Sequence, residues 1–225
     1  MIRDEEGGFQ NNMAYTDEEI LKAKKARQQE EKKQYDKEKM EKEKAESIFD
    51  GSVHIYERET AFSRREIEEC GISIYMPEEF EELEDEIKKL IFPFAHPPKY
   101  VFASGETQFQ ITLNLTDNIV PDSGMPKFMK TAKALMERMG PQARILSCAT
   151  VQKEERNIGI MEVATRAVDM NVYNVMFYLS IDQKLLTGSV ICPAKCHERM
   201  VPIAKEIIDS IEIMREARDG NNNIS

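Results

Sequence analysis

The stretch Val172-Tyr173-Asn174-Val175-Met176-Phe177-Tyr178-Leu179-Ser180-Ile181 decides the fold. Strand alternation sends Tyr173, Val175, Phe177, Leu179 and Ile181 to one face and Val172, Asn174, Met176, Tyr178 and Ser180 to the other. The first face is apolar throughout and the second is half apolar. A sheet wetted on one side shows a cleaner polar face than that. The strand therefore predicts helices on both sides of its sheet: an α+β protein built as a three-layer α/β/α sandwich around a largely antiparallel sheet.

Similar apolar runs surround it. Ile145 to Val151, Ile160 to Val168 and Leu185 to Ile191 are separated by polar breaks at Glu155 to Asn157, Asp169 to Asn171 and Asp182 to Lys184. Gaps of about three residues force antiparallel neighbours, because a parallel return needs a crossover of a dozen or so residues. The second half reads as a four-stranded meander. Upstream, Ile72 and Ile74 mark a strand, and Tyr100-Val101-Phe102 and Phe109 to Leu115 flank Ser104-Gly105-Glu106 as a hairpin.

Three stretches have helical periodicity. One is predicted to start at Met76-Pro77, with Phe80, Leu83, Ile87 and Leu90 on its buried side. A second spans about Met125 to Met139, with Phe128, Met129, Ala132, Leu135, Met136 and Met139 as its stripe and Gly140-Pro141 as its stop. The third follows Pro193 and carries Met200, Val201, Ala204, Ile207, Ile208, Ile211 and Met214.

Ahead of this domain the composition changes abruptly. Asp17 to Glu46 holds ten acids and ten bases and almost nothing able to form a core. Thr16-Asp17-Glu18-Glu19 matches a capping box, and the Lys, Glu, Gln, Arg and Ala that follow favour a helix. Ile20, Leu21, Tyr35 and Met40 do not recur at heptad spacing, so a coiled coil is not predicted. The domain division expected is a charged arm over 1–50, a globular domain over 51–216 and a disordered tail over 217–225.

The 225 residues carry a net charge of -10, which disfavours nucleic acid and anionic membranes as partners. Met1-Ile-Arg-Asp-Glu-Glu does not read as a secretory signal, and no run reaches the roughly 20 apolar residues of a membrane span. A cytoplasmic protein without membrane insertion is expected. Cys70, Cys148, Cys192 and Cys196 are then expected as free thiols.

The order of elements, with a strand closing in Ile72-Ser73-Ile74-Tyr75-Met76-Pro77 and continuing Glu78-Glu79-Phe80, resembles the PsbP-like and DcrB-like group of α/β/α sandwiches over about Val53 to Arg215. The resemblance implies a mostly non-enzymatic protein: members that look like this are lipoproteins, photosystem accessory subunits, transport cofactors and secretion chaperones. It carries over no functional residue.

Chemistry-bearing motifs are sparse. Cys192-Pro193-Ala194-Lys195-Cys196-His197 is the one compact group of soft ligands, but it has no second ligand pair at zinc spacing. Neither the phosphate-binding loop G-x-x-x-x-G-K-[ST] nor the turn G-x-G-x-x-G occurs. No metal, cofactor or catalytic residue is assigned. The expectation is a non-catalytic protein-interaction module, adaptor or chaperone-like, with a protein partner. Arg166, Asn174, Met176 and Tyr178 on the second sheet face, and Phe94 and His96 in a proline-stiffened loop, are the candidate partner-binding residues. Two other functions stay open: a small-molecule binder or enzyme with a dispersed site, and a structural tether in a larger assembly.

Overall fold

A computed structural model describes residues 21–22, 24–34, 37, 46–55, 58–93, 97–105, 108–140, 142–166 and 171–214. The chain forms two compact units, 1–45 and 46–225. The described residues of the first are helical, as their composition predicts. The capping box at Thr16 to Glu19 lies outside the described residues.

The second unit begins at Glu46. Its first turn belongs to the globular body because Ile48 is fully buried and its N–H donates to Glu206 Oε2 at 2.9 Å. Strands β1 (Ser52–Ile55), β2 (Arg58–Ile67) and β3 (Ile72–Pro77) follow. With β11 (Glu212–Ile213) at the far end of the unit they form a four-stranded sheet in the order β1-β2-β3-β11.

The larger sheet has seven strands: β4 (Glu81–Glu82), β5 (Tyr100–Ala103), β6 (Gln110–Ile119), β7 (Ala143–Lys153), β8 (Arg156–Thr165), β9 (Val172–Ile181) and β10 (Lys184–Pro193). Their order is β4-β5-β6-β10-β9-β8-β7, antiparallel at every pairing. The meander and the β5–β6 hairpin are those read from the sequence. Asp182 and Gln183, both left-handed at φ 49 and 68, make the two-residue turn between β9 and β10. That handedness matches the twist of the strands it joins.

Among the described residues of this unit three α-helices join the sheets: α1 (Asp85–Ile91), α2 (Met125–Met139) and α3 (His197–Asp209). Tyr173, Val175, Phe177, Leu179 and Ile181 of β9 enter one core with α3 and the four-stranded sheet. On the opposite face Tyr178 joins Met125, Met129, Met161, Val163 and Leu185 in a second core under α2. The central sheet is covered on both sides, and the α/β/α layering holds.

Two expectations are corrected. No helix starts at Met76-Pro77. Pro77 instead ends β3 opposite Phe62, and Glu81 and Glu82 pair with Ala103 and Phe102. Phe80 is buried, but it reaches the core from a loop whose carbonyl accepts from Arg65 Nη1 at 2.7 Å. The last helix stops at Asp209, where the Ser210 hydroxyl folds back onto the Ile207 carbonyl at 2.6 Å. Ile211 and Met214 therefore lie beyond it, beside β11. The strand β2 escaped the sequence reading because charge dominates it; only Thr60, Phe62 and Ile67 are buried.

Candidate functional site

The register of β7 against β8 places Ser147 opposite Glu162, Ala149 opposite Ile160 and Val151 opposite Ile158. Ile160 in turn faces Phe177, and Glu162 faces Val175. These eight side chains lie on the sheet face that carries the main core. Helix α3 covers that face over β9 and β10 but leaves the outermost strands partly open. The result is a groove of about 620 Å³ floored by Ala149, Val151, Ile158 and Ile160, with Lys153, Glu162, Lys205 and Asp209 along its side.

Those charged groups are organised in pairs. Burial alone would raise the Glu162 carboxyl, but the Tyr173 hydroxyl and the Lys205 ammonium hold it below the usual carboxylate range. Tyr173 donates to Glu162 Oε2, and Lys205 Nζ lies 3.2 Å from Oε1. Burial and that same carboxylate push the Tyr173 hydroxyl up. Lys153 donates to the carbonyl of Asp209, the last residue of α3. A cation there favours the negative end of the helix dipole.

Two buried thiols are held protonated. Burial, with Cys196 beside it, pushes Cys192 up to about 12, and burial pushes Cys70 up to about 11. His197 Nδ1 is engaged with the Ala194 carbonyl at 2.8 Å. Among the described residues no three His, Cys, Asp or Glu side chains gather as metal ligands. What the groove offers is apolar contact with fixed charges beside it.

Strand β7 adds a second kind of contact. It runs for eleven residues at the end of the sheet, and no described strand pairs with its outer side. Its outward N–H and C=O groups are a template for another strand. Between Arg144 and Lys153 the sequence Ile145-Leu146-Ser147-Cys148-Ala149-Thr150-Val151-Gln152 carries no charge, and Leu146, Ala149 and Val151 are exposed.

The candidate residues read from the sequence are dispersed. Tyr178 is a core residue, 6% exposed, with its ring 5.2 Å from that of Phe128 in an edge contact. That corrects its expected place on a partner-facing surface, because α2 covers the face. Met176 packs beside it, and Asn174 is half-buried with its Oδ1 lacking a hydrogen-bond partner among the described residues. Arg166 is exposed just past β8, with its N–H on the Gln142 carbonyl at 3.3 Å. Phe94 and His96 lie outside the described residues. The groove itself was not foreseen: Ala149, Val151, Ile158 and Ile160 carry the alternation of covered strand residues, and the position of α3 leaves Ala149 and Val151 exposed.

No protein-family model matches the chain, and no curated protein matches it in sequence. Solved structures with a similar fold include the cyanobacterial PsbP protein of Synechocystis sp. PCC 6803, at 12% identity and a TM-score of 0.49 over 68% of this chain and 92% of that one. A protein of unknown function from Pseudomonas aeruginosa is similar at 8% identity and TM-score 0.39, over 66% of this chain and 94% of its own. A Bacteroides thetaiotaomicron protein is similar at 12% identity and TM-score 0.44, over 65% of this chain and 46% of its own.

Proposed function

We propose that the globular unit is a non-catalytic protein-interaction module that takes an extended segment of a partner along β7, with the partner's apolar side chains in the adjoining groove. The observation that carries this reading is the coincidence of an eleven-residue edge, unpaired among the described residues, with an apolar channel on the same strand. Strand addition draws affinity from main-chain hydrogen bonds and specificity from pockets for alternate side chains. Edges without such a role are normally blunted by inward charges, prolines or short length. Here a bulge between Ile145 and Ser147 interrupts the register, but no charge or proline falls between Leu146 and Gln152.

Ala149→Lys and Val151→Lys place a charge in the groove at exposed positions and leave the covered cores intact. Each variant and the parent are used to capture proteins from the cell of origin, and the protein retained by the parent is purified. The expected result is a loss of that protein by about tenfold or more with either variant, together with slowed amide exchange in β7 when it is added to the parent. Equal retention by the variants, or exchange in β7 that does not change, overturns the proposal.

A further inference from the structure

Helix α1 is turned inside out. Its lysine at position 88 is 5% exposed, whereas Ile87, Leu90 and Ile91 are exposed at 42%, 82% and 43%. A surface helix ordinarily does the reverse. The orientation is fixed by the buried ammonium, since Lys88 Nζ donates to Glu82 Oε1 at 2.7 Å, to the Lys99 carbonyl at 2.9 Å and to Asp85 Oδ1 at 3.3 Å. Rolling the helix to cover its aliphatic side chains would break all three contacts. The apolar face is thereby held outward at the β4–β5 end of the seven-stranded sheet, the end opposite β7.

Charge surrounds this face. From Glu78 to Ile91 there are seven acids and two lysines. Glu79 pairs with Arg58, and Glu82 and Asp85 are taken by Lys88. Glu78, Glu81, Glu84 and Glu86 are exposed and form no ion pair with any described residue. Ile87, Leu90 and Ile91 stand at i, i+3 and i+4, the spacing of a two-turn helical seam.

We propose that α1 is a docking face for a basic amphipathic helix of a partner protein, whose apolar stripe lies on Ile87, Leu90 and Ile91 and whose Lys or Arg side chains meet Glu84 and Glu86. Charge complementarity selects that occupant. A second copy would bring the same acids against these in a two-fold contact, and an anionic lipid surface is repelled by them. The chain's own arm, with ten acids and ten bases from Asp17 to Glu46, has no net charge to offer. The inference is independent of strand addition at β7.

The test uses a fluorescent helical peptide of leucine and lysine about 18 residues long, long enough to form helix on contact. A peptide with glutamate in place of each lysine serves as control. Both are titrated against the isotope-labelled full chain. The expected result is binding of the lysine peptide alone, weakened by salt, with resonance shifts centred on residues 81–93. Leu90→Ser, at a side chain too exposed to affect folding, should weaken it about tenfold or more. Glu84→Gln with Glu86→Gln should weaken it and flatten the salt dependence.

Three results would overturn the proposal. One is binding to Leu90→Ser within about twofold of the parent. Another is shifts spread over acidic surface elsewhere, or no binding at all. The third is self-association of the peptide-free chain that disappears in Leu90→Ser, which would seat a second copy on the face.

Discussion

Close approaches at single residues show how the large sheet is packed. A Cβ on Gly188 would stand 2.2 Å from Phe177 Cζ, and Phe177 is fully buried between strands. The ring lies across the space that a side chain on β10 would fill. A Cβ on Gly159 would meet the Met129 sulfur at 2.3 Å, on the other face of the sheet. A thioether chain swings aside far more readily than a ring held by a core. Gly188→Ala is therefore expected to cost about 1–3 kcal/mol, and Gly159→Ala clearly less. Urea denaturation of the two variants checks the order, and equal losses would contradict it. The aromatic half of this contact was legible as a strand-face residue, but the glycine opposite it was not, because pairing register is needed to bring Gly188 against Phe177.

At the scale of elements, α1 is where periodicity and structure part. The spacing of Phe80, Leu83, Ile87 and Leu90 reads as one buried helical face. In the fold Phe80 sits in a loop and Leu90 is exposed. The cause is Lys88: burial pulls its ammonium down, yet Glu82 and Asp85 outweigh burial and hold its pKa above the ordinary lysine value. A raised value means that the charged form favours the folded state. This contribution is complete below the unfolded lysine pKa of about 10.4 and is lost as pH rises through the folded value. Lys88→Met should lower stability by about 1–2 kcal/mol near neutral pH, from hydrogen bonds lost at a buried site. The margin should narrow in denaturation curves taken above about pH 10.4; a margin independent of pH would show that the ammonium charge is not the anchor. Helix α2, by contrast, was legible from Met125 to Met139, because Phe128, Met129, Ala132 and Met136 of its stripe do pack on the sheet, although Leu135 stays exposed.

The whole molecule divides where the composition does. With 1–45 and 46–225 as separate compact units, deletion of residues 1–45 should leave the melting temperature of the remainder within about 2 °C of the full chain. Scanning calorimetry on both proteins checks this. A larger drop would mean that the globular unit takes stability from the arm. Within 46–225, one sheet has a core on each face, and the layering follows from β9 alone: Phe177 faces one core and Tyr178 the other.

The sequence by itself determined that β9 needs cover on both faces and that the meander is antiparallel. These are properties of local period and gap length, which neighbours in the chain dictate. Tertiary structure alone decided that a second sheet supplies part of one layer, that α3 stops short of β7 and that a buried lysine turns the aliphatic side of α1 to solvent. Those outcomes depend on contacts between residues far apart in sequence, such as Lys88 with the Lys99 carbonyl and Ile48 with Glu206. An alternating or helical pattern records which side chains favour burial, but the area available to cover them is set by how the elements meet.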